Sequence, residues 1–200
     1  MQTESIDGFI PPSRMEVRSL LREGTAQLHA AIEATPVVTR VMGDSITEAD
    51  YRALLGRLHG FHSPLEAGLE GCCPALAVER PFRPRAPRLA RDLRARGIDP
   101  GGLPRCPRTP VPQTRAEFLG IAWVLEGSAL GARVIRRQVG ERLGPDAIGP
   151  FHAEENPDDW RDFLARLEDG VCTPDQRTEA LRGARATFTS LLHWLEEAAS

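Results

Sequence analysis

Five times in 200 residues this chain writes a helix start. Ser13-Arg-Met-Glu16 follows Pro11-Pro12. Thr47-Glu-Ala-Asp50 and Thr114-Arg-Ala-Glu117 repeat the arrangement. Asn156-Pro157-Asp158-Asp159 and Thr173-Pro174-Asp175-Gln176 add a proline at the first helical position. In each, a short oxygen-bearing side chain can accept from an otherwise orphaned backbone N–H. A carboxyl or amide close behind answers it or faces the positive end of the helix dipole. Gly97, Gly140 and Gly144 supply stops. These signals predict helices near 14–34, 48–70, 86–96, 115–139, 158–168 and 174–198, with loops over 98–113 and 144–156. Alternating strand patterns with turn pairs are absent, and no segment repeats. The expected architecture is a single all-α domain over 13–200, preceded by a flexible segment 1–12.

Composition removes several function classes. Hydrophobic residues at 41% and charged residues at 26% describe a globular chain. A net charge of −3 argues against nucleic acid or an anionic membrane as the main partner. All 25 basic residues are arginine, so a bound anion would meet guanidinium forks, which suit carboxylates and phosphates. Cys72, Cys73, Cys106 and Cys172 form no Cys-x-x-Cys pattern, which leaves zinc and a disulfide framework poorly supported. The first twelve residues lack a basic start with an apolar run, and no stretch is expected to approach the 18 apolar residues of a membrane span. A cytoplasmic address, with no membrane span, is the expectation.

The first helix carries an apolar stripe through Val17, Leu20, Leu21, Gly24, Leu28, Ala31 and Ile32. Arg22, His29 and Glu33 form a polar row along its border. One reading is a half-buried histidine with a local glutamate partner. The other is a metal-centre ligand: one ring nitrogen binds the metal, while a carboxylate one turn away holds the other N–H. Zinc would need further converging ligands that this row does not offer, whereas haem iron needs only one or two axial ligands.

A later helix reads FLGIAWVLEGSALGARVIRRQV over 118–139. Each interior glycine costs about 1 kcal/mol relative to alanine. Gly127 and Gly131 lie four apart on one face. They suit either a close helix–helix crossing or a flat ligand lying against bare backbone, over which the helix can bend. A histidine row on one helix and a bare backbone on another would together accommodate a flat macrocycle.

Other features read more plainly. His59 and His62 in the second helix suit packing at the solvent edge, with a metal pair as the alternative. His152 falls in a loop, and His193 beside Trp194 reads as structural. Cys72–Cys73 suits packing. The arginines from Arg80 to Arg108, with Arg133 and Arg136, read as solvated faces. The first group could alternatively dock an acidic electron donor.

The segment Leu21–Glu33, LREGTAQLHAAIE, resembles the proximal helix of the haem oxygenase family. Glu126-Gly-Ser-Ala-Leu-Gly131 and the Ala-Arg-Val-Ile after it resemble the distal helix of bacterial members, nearest to those that supply biliverdin to bacteriophytochromes. The stretch from Trp160-Arg-Asp-Phe163 to Glu196 is also similar, so the likeness covers most of 14–198. It implies an all-α bundle with haem between two helices. It makes His29 the axial iron ligand and Glu33 the partner of its ring. Gly127 and Gly131 then pack on the distal face, and Arg22 and Arg161 meet the propionates. Where many members carry an aspartate after the first distal glycine, this chain has Ser128, which can hydrogen-bond water but supplies no negative charge. The implied reaction uses dioxygen and electrons to convert haem to biliverdin, carbon monoxide and ferrous iron. The implied partners are ferredoxin with its reductase as donor and an apo-bacteriophytochrome as acceptor. A non-catalytic haem carrier or sensor of the same fold is the alternative. A thiaminase-like or diiron relative is disfavoured, because Glu-x-x-His is missing and Cys172 sits near a helix start.

Overall fold

The computed structural model describes residues 16–79, 82–152 and 157–197. Seven α-helices run through them: α1 Val17–Glu33, α2 Pro36–Met42, α3 Glu48–Cys72, α4 Ala86–Ala95, α5 Arg115–Leu143, α6 Pro157–Gly170 and α7 Pro174–Glu196. Short 3-10 turns occupy 100–102, 145–147 and 150–152, and no strand occurs among the described residues. The class is all-α, as expected.

The three threonine start signals act as their chemistry dictates, one of them with a variation. Thr47 and Asp50 form a reciprocal capping box at α3, and so do Thr173 and Gln176 at α7. Thr114 accepts from the Glu117 N–H, but the Glu117 carboxylate accepts from Gln113 instead, one residue early. The α1 start is corrected: Glu16, expected inside the first turn behind Ser13, is extended with ψ 140° and is itself the N-cap residue, without a side-chain cap, so the helix begins only at Val17. Ser13 itself, the Asn156 cap, segment 1–12 and Arg80 lie outside the described residues. Gly97 and Gly144 end α4 and α5 with φ of 74° and 95°. Gly140 does not end α5. It stays helical beside Ile148, whose Cδ1 would lie 3.0 Å from a Cβ there. The seven-residue α2 was not predicted. Pro36 starts it, and it is held by two buried valines, Val37 and Val41.

α7 organises the bundle, packing along both α5 and α1. Its crossing with α5 is close because a Cβ on Gly120 would collide with the Ala180 carbonyl. A Cβ on Gly183 would collide with the Glu117 carbonyl. The core includes Leu21 of α1, Phe61 of α3, Phe118 of α5 and Phe163 of α6. α5 contains an 18-residue window of mean hydropathy 1.5, long and apolar enough to cross a bilayer by length and composition. This corrects the expectation that no stretch approaches that length of apolar sequence; scattered polar residues such as Glu126 and Ser128 disguise it. In the fold, 53% of it is buried, as a helix wrapped by α6 and α7 requires.

Candidate active site

α1 and α5 each lean on α7 and make little contact with each other. His29 stands on the α1 side of this gap, 59% exposed. Its Nδ1 lies 3.5 Å from Glu33 Oε1, and its ring meets Phe188 of α7 edge-on, with centroids 5.9 Å apart. Phe188 in turn meets Trp123 of α5 at 6.5 Å. The His29 Nε2 has no hydrogen-bond partner among the described residues. A carboxylate beside Nδ1 is the arrangement that favours a proton there and leaves Nε2 as the metal-binding nitrogen of a neutral ring.

Trp123, Gly127 and Gly131 recur every four residues, which places them along one stripe of α5. A Cβ on Gly127 would meet only Trp160 Cη2, at 3.7 Å, and one on Gly131 would meet nothing within 4 Å. The crossing glycines are therefore Gly120 and Gly183. Gly127 and Gly131 leave bare backbone beside open space. Of the two readings left open for the Gly127–Gly131 pair, the geometry removes the close crossing. Trp123 Nε1 is buried with no partner, a donor left available on the same stripe. An imidazole lone pair, an aromatic floor and an uncovered helix backbone together fit a flat, largely apolar ligand that carries a metal.

The remaining expected residues are placed less uniformly. Arg22 is exposed on α1, with no ion-pair partner among the described residues. Arg161 is exposed on α6 and paired with Asp158 of its own helix. Ser128 donates its hydroxyl to the Leu125 carbonyl at 2.7 Å, which leaves its oxygen free only to accept.

The structure also reveals a clamp that the sequence reading passed over. Arg85 is 2% exposed, and its Nε donates to the same Leu125 carbonyl at 3.2 Å. The backbone N–H groups of Arg85 and Ala86 donate to the Glu66 carboxylate, at 2.8 and 3.1 Å, so Glu66 sits at the start of α4. His62 Nδ1 is 3.0 Å from Glu66. Glu126 accepts from the Arg83 N–H at 2.7 Å. Segment 82–86 thus ties α3 to the turn of α5 just before Gly127. The available signal was the spacing His62-x-x-x-Glu66, the same as His29-x-x-x-Glu33.

His59 and His62 are corrected too: both are buried at 5% exposure, not at the solvent edge. Burial, reinforced by Arg105 and Arg94, lowers the His59 pKa, and its Nδ1 has no partner. The His152 side chain lies outside what is described, while His193 is exposed. The four cysteines are free thiols.

Comparison with known proteins gives a consistent family. The Heme oxygenase family model matches residues 15–96, a span that contains His29 and Glu33 and ends before α5. A heme oxygenase from Xanthomonas campestris pv. campestris (strain 8004) is 33% identical over 157 residues, covering 74% of this chain and 91% of the relative. The fold superposes on heme oxygenase from Leptospira interrogans with a TM-score of 0.72 at 16% identity, covering 92% of this chain and all of that one. It superposes on the NO- and CO-bound heme oxygenase from Neisseria meningitidis with a TM-score of 0.66 at 22% identity, covering 92% of each. With the fold, the open α1–α5 gap and a relative matched over nearly its whole length, this chain belongs to the haem oxygenase family.

Proposed function

We propose that this chain is a haem oxygenase that binds haem between α1 and α5 and cleaves it to biliverdin. The observation that carries this reading is the placement of the His29 lone pair and the uncovered Gly127–Gly131 backbone around one aromatic floor, Phe188 and Trp123. When bound, haem supplies the iron that takes dioxygen and the ring that is oxidised, yielding carbon monoxide and ferrous iron as co-products.

The protein's share of the work is physical. His29 Nε2 would hold the metal as a neutral donor, with Glu33 accepting a hydrogen bond from Nδ1–H, which would orient the ring and raise its basicity. Gly127 and Gly131 let backbone approach the distal side, where side chains would otherwise force the ligand away. Trp123 Nε1–H offers a donor at the edge of that face. Ser128, with its own proton committed to Leu125, accepts from pocket water and so orders a donor chain without carrying charge. Arg22, exposed and without an ion-pair partner among the described residues, would meet a propionate as a charge-assisted pair and so help orient the bound ring. Arg161 does so only after leaving Asp158.

The working context we assign is one domain over 13–200 in a reducing cytoplasm, which the four free thiols support. Ferredoxin and its reductase provide electrons, and an apo-bacteriophytochrome receives the product. The second reading, a haem carrier or sensor, is favoured by one observation: serine stands at 128, where a carboxylate would organise distal water. Hemin titration followed by ascorbate or ferredoxin and reductase in air separates the two. Oxygenase function gives a Soret band that decays to biliverdin absorption. A stable band would sink catalysis, and no band would sink the haem site altogether.

A further inference from the structure

We propose that a second cavity, separate from the α1–α5 gap, binds a small organic carboxylate with an apolar body. The cavity has a volume of about 310 Å³ and lies between α2, α3, residues 103–104 and the end of α7. That volume is at the lower end for small-molecule sites, enough for a ring-sized body and too small for a macrocycle. Its apolar surface comes from Val37, Leu103, Trp194 and Leu195. Its charge comes from Arg40, Arg52 and Arg57, and no carboxylate lines it. Arg52 is neutralised by Glu48, and the two remaining guanidinium groups at one opening, in a chain of net charge −3, make a local field that complements an anion.

One of these cations is held ready. Arg57 lies with its guanidinium carbon 4.5 Å above the Trp194 ring, and its backbone carbonyl accepts the Trp194 Nε1–H at 2.8 Å. Trp194 is itself wedged, since a Cβ on Gly60 would lie 2.7 Å from its Cζ2. The indole and the cation above it therefore form one rigid wall, apolar in the middle and positive at the edge. Arg52 is engaged with Glu48 at 3.1 Å. Arg40 and Arg57 have no carboxylate within ion-pair distance among the described residues, so an incoming carboxylate displaces no existing partner. Trp194 follows Phe188 by six residues, about 9 Å along α7 and roughly 240° around it. The two sites thus share a helix and no face.

Isothermal titration of the full chain with sodium benzoate at low ionic strength tests this. We expect one saturable site with a Kd of about 1 mM or tighter. Arg57→Gln and Arg40→Gln should each weaken it about tenfold, the scale of one charge-assisted hydrogen bond. His29→Ala should bind benzoate as the parent does, and benzyl alcohol should not bind. Arg40 is exposed, so its variant decides the matter if Arg57→Gln fails to fold. Absence of saturation, or equal binding by folded arginine variants, overturns the proposal. Inorganic phosphate binding as tightly as benzoate would overturn the requirement for an apolar body.

Discussion

The molecule uses the same two devices twice, once in a closed region and once in an open one. His62–Glu66 on α3 and His29–Glu33 on α1 have identical spacing. The first pair is 6% and 5% exposed at its side chains, the second 59% and 66%. Likewise α5 carries Gly120 against the Ala180 carbonyl and Gly131 against nothing. In the closed region a histidine–glutamate pair and a glycine are packing elements whose partners are all protein. In the open region the same residue types are left with unused valence: a ring nitrogen without a partner and a backbone without a cover. A motif becomes a site when the fold withholds its partners.

The largest expected effect is in the closed region. Glu66→Ala would leave His62 and the N–H groups of Arg85 and Ala86 without their acceptor, and we expect a loss of about 3 kcal/mol in urea unfolding. Gly120→Ala should follow at about 2 kcal/mol, because the added methyl meets backbone that cannot rotate away. A parent-like denaturation midpoint for either variant would break the distinction between the regions.

In the open region stability and binding should separate. Glu33→Ala should change unfolding by less than about 0.5 kcal/mol, since the pair is exposed. Its hemin affinity should nevertheless fall about tenfold in a Soret titration, as for loss of a ligand's orienting carboxylate. Gly131→Ala should stabilise the apoprotein by up to about 1 kcal/mol through helix propensity while weakening hemin binding. Unchanged hemin binding in both would remove the assigned roles.

The smallest effect concerns pH. His59 is held neutral in the fold, its pKa lowered by burial and then by Arg105 and Arg94. The unfolded chain takes up that proton near the ordinary histidine pKa of about 6.5. Stability from this group is therefore complete above that pH. It is lost as pH falls from there toward the lower folded value. The drop in urea midpoint between neutral and mildly acidic buffer should shrink in His59→Leu; an undiminished drop would assign it elsewhere.

Much of this was legible one helix at a time. Thr47, Thr173, Gly97 and Gly144 mark helix ends because capping and positive φ are satisfied within a few residues of chain. α2 was not legible: its seven residues are too few to show a period, and it survives by burying Val37 and Val41. The proximal row Arg22, His29 and Glu33 was visible as spacing. The clamp through Arg85 was not, since its partners Glu66 and Leu125 are 19 and 40 residues away.

By itself, the sequence determined the threonine-capped starts of α3, α5 and α7, the glycine ends of α4 and α5, the absence of strands among the described residues, and which histidines have a glutamate four residues on. Those properties depend on local backbone hydrogen bonding and helical period alone. Only the tertiary structure decided which histidine–glutamate pair is buried and which is open, and which glycines cross another helix and which face space. Burial is a property of what arrives from elsewhere in the chain. Here α7 arrives against Gly120 and leaves Gly131 uncovered, and no local pattern distinguishes the two glycines.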